Sequence, residues 1–276
     1  MPSLHKWGLE KGIIYGPYRS RRYGWALGIN ILPPNKKVCS MNCTYCQYGW
    51  TPGAPSPEDI SLSPSPPLVE KYVEASLALL GKGLQMPQSI LICGNGEPTL
   101  HPKFTDIVKR IVALRDKITP SIPIICVTNG TELANLDICK TLTLLDEVAI
   151  KLDAGDCDLT RKINIPWRPH CTEYLIGYSL RIPNRVIQSC FVTGCVNNTG
   201  SEAISEWVEV VRRINPLYAQ VYTIDRQPPN SKVLPVEEEK LEEIANRLNR
   251  ETNIPAKWYK SKSYNEKFVA KSGKLN

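Results

Sequence analysis

The sequence predicts an α/β fold built on parallel strands, and three observations carry that expectation. Short apolar runs alternate with amphipathic stretches along most of the chain, the pattern of repeated βα units. The apolar runs end in glycines or small groups of polar residues, as strand-end loops do. A length of 276 residues, 42% hydrophobic and 22% charged, suits one large α/β domain or two small ones with a core to bury.

The elements follow in order. Residues 89–93 read as a buried strand that stops at Gly94, Asn95 and Gly96. Residues 104–115 carry Ile107, Ile111, Val112 and Leu114 at helical spacing. A strand over 122–127 ends at Thr128, Asn129 and Gly130, and a helix over 132–142 follows. The next strand, 147–152, ends at Asp153, Ala154 and Gly155. Residues 186–192 and 219–224 are strand-like, with helices near 201–213 and 236–250 behind them. The proline-rich stretch 52–67 reads as a semi-rigid surface loop. This order favours a parallel barrel or a doubly wound sheet, and in either the chemistry gathers at the C-terminal ends of the strands.

Composition excludes several classes. No apolar run reaches the roughly 18 residues of a spanning helix. The first residues carry no apolar leader, so a cytoplasmic, non-membrane protein is expected. Its ten cysteines then read as metal ligands or free thiols and not as a disulfide scaffold. The net charge of +7 suits an anionic substrate or RNA, and equally an ordinary soluble enzyme. Lysines 257, 260, 262, 267, 271 and 274 face only Glu266, so residues 1–255 are read as the folded domain and 256–276 as a basic tail.

The sharpest signal is Cys39, Cys43 and Cys46, separated by three and two residues. Three thiols on one loop can wrap one iron–sulfur cluster and leave one iron without a protein ligand, open to a cofactor or substrate. A structural zinc site is the plainer alternative, but His5, His101 and His170 stand at no finger-like spacing to these cysteines.

With Tyr45 directly before the last cysteine, and Gly94-Asn95-Gly96-Glu97-Pro98 following in order, the sequence resembles the radical S-adenosylmethionine superfamily. More of it, roughly residues 13–235, resembles the small branch related to wyosine synthetases. That likeness rests on Tyr15-Gly16-Pro17 to Arg22, Leu27 to Asn30, Lys151 to Gly155, Ile163-Asn164 and Tyr222 to Arg226. The chain departs from true wyosine synthetases in having no cysteine before Cys39, so it resembles a single-cluster member. It also departs in Arg226-Gln227-Pro228-Pro229, where the branch has Arg-Pro-Pro.

The resemblance implies a partial or full (β/α) barrel of parallel strands with the cluster at its C-terminal mouth. It implies an oxygen-sensitive enzyme whose cofactors are a [4Fe–4S] cluster on Cys39, Cys43 and Cys46 and S-adenosylmethionine on the fourth iron. Reductive cleavage of that cofactor would give a 5′-deoxyadenosyl radical that takes hydrogen from a small-molecule or nucleotide substrate, with an external electron donor as partner. Asn95, Gly96 and Glu97 would receive the methionyl ammonium, and Tyr45 would lie near the adenine. Asn129, Lys151 and Asp153 would reach the ribose or the methionyl carboxylate, a Lys151–Asp153 ion pair being the plain alternative. Asn197 and Tyr222 are further pocket candidates, and Arg21, Arg22 and Arg226 are candidates for an anionic substrate group. Three rival readings stand beside this one: transfer of the cofactor's 3-amino-3-carboxypropyl group, activation of a partner protein by a glycyl radical, and an RNA-binding module with a structural metal.

Overall fold

The computed structural model describes residues 8–81 and 85–261. An N-terminal hairpin, β1 (Ile14–Ser20) and β2 (Gly24–Ile29), leads through the cysteine loop to α1 (Pro57–Ser61) and α2 (Pro66–Leu80). The repeat then runs β3 (Ser89–Ile92), α3 (Phe104–Ile118), β4 (Ile124–Thr128), α4 (Leu136–Leu142), β5 (Glu147–Lys151), α5 (Cys157–Asn164), α6 (Thr172–Ser179) and β6 (Arg185–Phe191). It finishes with β7 (Thr193–Gly194), α7 (Ser201–Ile214), β8 (Ala219–Thr223), β9 (Val233–Leu234), α8 (Glu238–Thr252) and β10 (Ala256–Tyr259).

Eight strands form one sheet in the order β1-β2-β3-β4-β5-β6-β8-β10, and β7 pairs with β9 in a separate small ribbon. All pairings in the large sheet are parallel except β1 with β2. The sheet is curled into a partial barrel. The clearest sign is Arg21, in the β1–β2 turn, which donates to the Lys260 carbonyl at 2.6 Å and the Thr223 carbonyl at 3.0 Å. Those acceptors belong to the far edge of the sheet, so the hairpin turn straps the open side.

The period of two along the strands sorts the two faces. Ile90, Ile92, Ile124, Cys126, Val148, Ile150, Ile187, Phe191 and Val221 point outward into one large core under the helices. The inward face is built differently. A small apolar layer of Ala26, Leu91, Ile125, Ala149 and Val186 lies within. The alternate positions Glu147, Lys151, Gln188, Gln220 and Tyr222 are polar. The inside of the curl therefore combines a small second core with polar positions.

Three sequence expectations change. Residues 52–67 are not a plain loop, because Pro57 and Pro66 each open a helix. Proline suits the first helical position, where its missing N–H is no loss, and Ser56 with Asp59 completes a capping box for α1. The helix expected over 132–142 begins at Leu136, because the Asn135 side chain caps it by accepting the Asp137 amide at 2.9 Å. Ala256–Tyr259, assigned to the basic tail, form the edge strand β10 against β8. The tail lysines from 262 onward lie outside the described residues.

Candidate cluster and cofactor site

The cysteine loop crosses the C-terminal mouth of the sheet and is fastened by backbone on both sides. On one side Val38 pairs with the exit of β3: its N–H donates to the Asn95 carbonyl at 2.8 Å, and its carbonyl accepts the Glu97 N–H at 3.0 Å. This pairing needs glycine at 96, where φ is +145° and a Cβ would stand 1.7 Å from the Val38 oxygen. On the other side the loop caps the end of α5. The Asn42 N–H donates to the carbonyls of Asn164 and Ile165, both at 3.0 Å, and the Thr44 N–H to that of Ile163 at 2.9 Å. Helix ends leave such carbonyls without partners, so α5 and the loop complete each other.

Cys39 and Cys43 are half-buried, and withdrawal from water pushes the Cys43 pKa up to about 11 and that of Cys39 higher still. A side-chain amide is aimed at each sulfur, Asn129 Nδ2 at 3.7 Å from Cys39 Sγ and Asn164 Nδ2 at 3.3 Å from Cys43 Sγ. Among the described residues no three His, Cys, Asp or Glu side chains converge on the position of a single metal ion. An iron–sulfur cluster takes each thiolate on a different iron. Amide donors on the ligating sulfurs are also what cluster thiolates accept. The residues present fit a cluster.

Two buried carboxylates organise the mouth. Glu97 Oε1 accepts from the Thr99 N–H (3.1 Å), Thr99 Oγ1 (2.6 Å) and Thr128 Oγ1 (2.7 Å), and Oε2 accepts the Asn129 N–H at 2.6 Å. Burial raises the Glu97 pKa against the pull of these donors. Asp153 accepts from Lys151 Nζ (3.0 Å), the Cys190 N–H (2.7 Å), Asn164 Nδ2 (2.7 Å) and the Tyr45 hydroxyl. Lys151 also donates to the Tyr222 hydroxyl at 2.6 Å. Burial disfavours its ammonium, but Asp153 and Tyr222 outweigh burial and leave the Lys151 pKa raised.

Cys39, Cys43, Cys46, Tyr45, Gly96, Glu97, Asn129, Lys151, Asp153 and Tyr222 are thus brought to one mouth. Lys151 and Asp153 do form the internal ion pair, and Tyr45 is turned onto Asp153. Other expected residues face elsewhere. The Asn95 side chain is spent on the main chain of Glu10 and Pro33, in three hydrogen bonds of 2.7–2.9 Å. Asn197 is exposed and accepts only from Thr199. Its neighbour Asn198 is the buried one, donating to the carbonyls of Asp153 (2.7 Å) and Cys190 (2.9 Å). Arg226 is exposed beyond β8. Cys190 is buried and Cys195 exposed, with all ten cysteines free. Asn164, noted in sequence only within a signature, proves to be the link between Cys43 and Asp153. No local pattern announces it, because its partners lie 121 and 11 residues away.

Beside Asp153 and Asn164 a crevice is lined by Met41, Thr160, His170 and Leu175. His170 stands edge-on to Tyr174 at 5.4 Å, and burial holds its pKa down at about 4. The unfolded chain takes up this proton near pH 6.5 and the folded chain only near 4. Stability is therefore expected to fall as pH drops from 6.5 toward 4. Thermal melts of wild type and His170→Gln across pH 7 to 4.5 would check this, with the variant showing the shallower decline; parallel declines would remove His170 as the cause.

Comparison with known proteins agrees with this geometry. A family model described as the Radical SAM superfamily matches residues 37–176, half of the chain. The sequence is 28% identical over 234 residues to a protein named GTPase Obg from Brachyspira hyodysenteriae, covering 83% of this chain and 32% of that protein. It is 30% identical over 237 residues to the UPF0026 protein MJ1312 of Methanocaldococcus jannaschii, covering 81% of this chain and 67% of that one. The chain thus spans about a third of the first relative's length and two thirds of the second's. Among solved structures, a radical SAM methyltransferase from Sphaerobacter thermophilus superposes with a TM-score of 0.64 at 15% identity, over 87% of this chain and 67% of that one. The structure of TYW1 with a lysine-pyruvate adduct superposes with a TM-score of 0.56 at 16% identity, over 82% and 74%. At these identities the two superpositions speak for the fold. Among the described residues no helix is long and apolar enough to cross a membrane.

Proposed function

The chain belongs to the radical S-adenosylmethionine superfamily and is an enzyme of that class; from that premise we propose that Cys39, Cys43 and Cys46 hold a [4Fe–4S] cluster whose fourth iron takes S-adenosylmethionine, and that the enzyme draws hydrogen from a small-molecule or nucleotide substrate. When bound, cluster and cofactor supply an electron to the sulfonium and hence a 5′-deoxyadenosyl radical. The protein's own residues bind, orient and shield. Cys39 and Cys43 offer half-buried sulfurs already faced by amides, which lowers the cost of placing thiolate charge there. Glu97 Oε2, with one donor where Oε1 has three, is the acceptor for an incoming ammonium. Lys151 stays protonated between Asp153 and Tyr222 and is the cation for a carboxylate or ribose oxygen.

The observation that supports this reading most is the double fastening of the cysteine loop, by the β3 exit and by the end of α5. The test is anaerobic reconstitution with iron and sulfide, reduction, incubation with S-adenosylmethionine, and mass spectrometry of the fragments. 5′-Deoxyadenosine is the expected product. Methylthioadenosine above the uncatalysed background would replace hydrogen abstraction with 3-amino-3-carboxypropyl transfer, and an intact cofactor beside a formed cluster would count against both.

A further inference from the structure

The fold separates the three arginines that stand out as grips for an anion. Arg21 is consumed by the strap: two backbone carbonyls and Asp225, at 3.7 Å, take its guanidinium. Arg226 is exposed. Arg22 turns into the barrel, where its guanidinium carbon stands 4.4 Å from the centre of the Tyr222 ring. Among the described residues that guanidinium donates no hydrogen bond and makes no ion pair, and its Nε is buried without a partner.

The carboxylates nearby are committed to other groups. Both oxygens of Glu147 take phenols, Tyr23 at 2.7 Å and Tyr218 at 2.6 Å. Asp153 is saturated by its four donors, and Asp225 faces Arg21. The groups that feel the Arg22 charge are Arg21 beside it, itself a cation, and Tyr18, Tyr23, Tyr222, Tyr259, Cys93 and Cys190, contributed from both edges and the middle of the sheet. The phenols and thiols among them are neutral at pH 7, since burial raises every one of them, so none offers Arg22 a counter-charge. A guanidinium carries five donors and a permanent charge, and holding it inside a wall of neutral phenols and thiols is costly until an oxyanion arrives. Tyr222 links this cation to a second one, because its hydroxyl accepts from Lys151.

We propose that Arg22 is the anchor for an anionic oxygen group, carboxylate or phosphate, on the substrate of this enzyme. The anchor lies inside the barrel, separated from Cys43 by Tyr222, Lys151, Asp153 and Asn164. The anion is bound two-pronged by the guanidinium while Tyr222 supports its other face. That the anion belongs to a substrate rests on the radical-enzyme reading above; the binding itself does not.

Equilibrium dialysis of the reconstituted holoprotein against radiolabelled inorganic phosphate, and separately against radiolabelled acetate, tests this. Wild type and Arg226→Gln should bind one equivalent of at least one anion. Arg22→Gln should bind it roughly tenfold to a hundredfold more weakly, and Arg22→Lys should fall between, since lysine keeps the charge without the fork. The better-bound anion identifies phosphate or carboxylate. No saturable binding by wild type, or undiminished binding by both Arg22 variants, would overturn the proposal. Displacement of the anion by S-adenosylmethionine would overturn its assignment to the substrate. Because dialysis needs no cofactor cleavage, a protein that forms no 5′-deoxyadenosine would still answer the question about Arg22.

Discussion

Replacing Cys43 with alanine is expected to leave a folded but colourless protein. The loop around it is fastened by main-chain bonds, Asn42 to the Asn164 and Ile165 carbonyls and Thr44 to the Ile163 carbonyl, and none of these uses the thiol. The lost sulfur leaves Asn164 Nδ2 one acceptor poorer, but its 2.7 Å bond to Asp153 remains. The structural cost is therefore small, about 1 kcal/mol for a buried atom of this size. The chemical cost is total. With two thiolates the loop no longer grips three irons, and absorbance at about 400 nm, bound iron and cofactor cleavage should vanish together. Cys195→Ala, at an exposed cysteine outside the loop, should keep its colour. If Cys43→Ala retained both colour and cleavage, the cluster would have to sit elsewhere.

How much of this could be read without coordinates depends on the range over which each feature is specified. The strands of the repeat were legible because outward residues such as Ile90, Ile92 and Ile150 sit beside small inward apolar ones such as Leu91 and Ala149, which makes continuous apolar runs. The cysteine loop is legible because one short segment holds all three thiols, whereas the reason for glycine at 96 lies 58 positions back, at Val38. The hairpin β1–β2 was not, because Tyr15, Tyr18 and Tyr23 give a weak strand pattern whose meaning lies across the barrel, where Tyr23 meets Glu147. Choice between neighbouring asparagines is equally invisible. Asn95 and Asn197 sit at strand ends as a pocket residue should, yet Asn95 is claimed by Glu10, 85 positions away, and it is Asn198 that is buried, holding the main chain of Asp153 and Cys190. For Lys151 and Asp153 the sequence leaves both outcomes open, and the fold supplies the ion pair.

The largest expected effect on stability falls on Asp153. Its side chain is fully enclosed and carries four donors, and the Lys151 ammonium it pairs with is only 14% exposed. In Asp153→Asn the shape is kept, but a donor NH2 now faces Lys151, Tyr45, Asn164 or the Cys190 N–H. A buried lysine is left without its counter-charge. Removing one member of such a pair costs about 3–5 kcal/mol, a large share of the roughly 5–15 kcal/mol that holds a domain together. The pH dependence follows from the sign of the shift. In wild type the Lys151 pKa is raised, so its stabilisation is present below the unfolded value of about 10.4 and is lost only above it. Without Asp153, burial, the largest influence on Lys151, is opposed only by Tyr222 and Cys190 and is expected to depress that pKa, so folding at neutral pH must strip the proton or bury the charge. The gap in melting temperature between wild type and Asp153→Asn should therefore be widest near pH 7 and narrow as pH rises toward 10. Adding Lys151→Met to Asp153→Asn should recover much of the loss, since the unpaired charge goes with it. A single variant that melts within about 1 kcal/mol of wild type would show that the pair is not what holds the mouth together. Recovery in the double variant, with cluster colour retained, would separate Asp153's part in stability from its shared contact with Asn164 and, through it, Cys43.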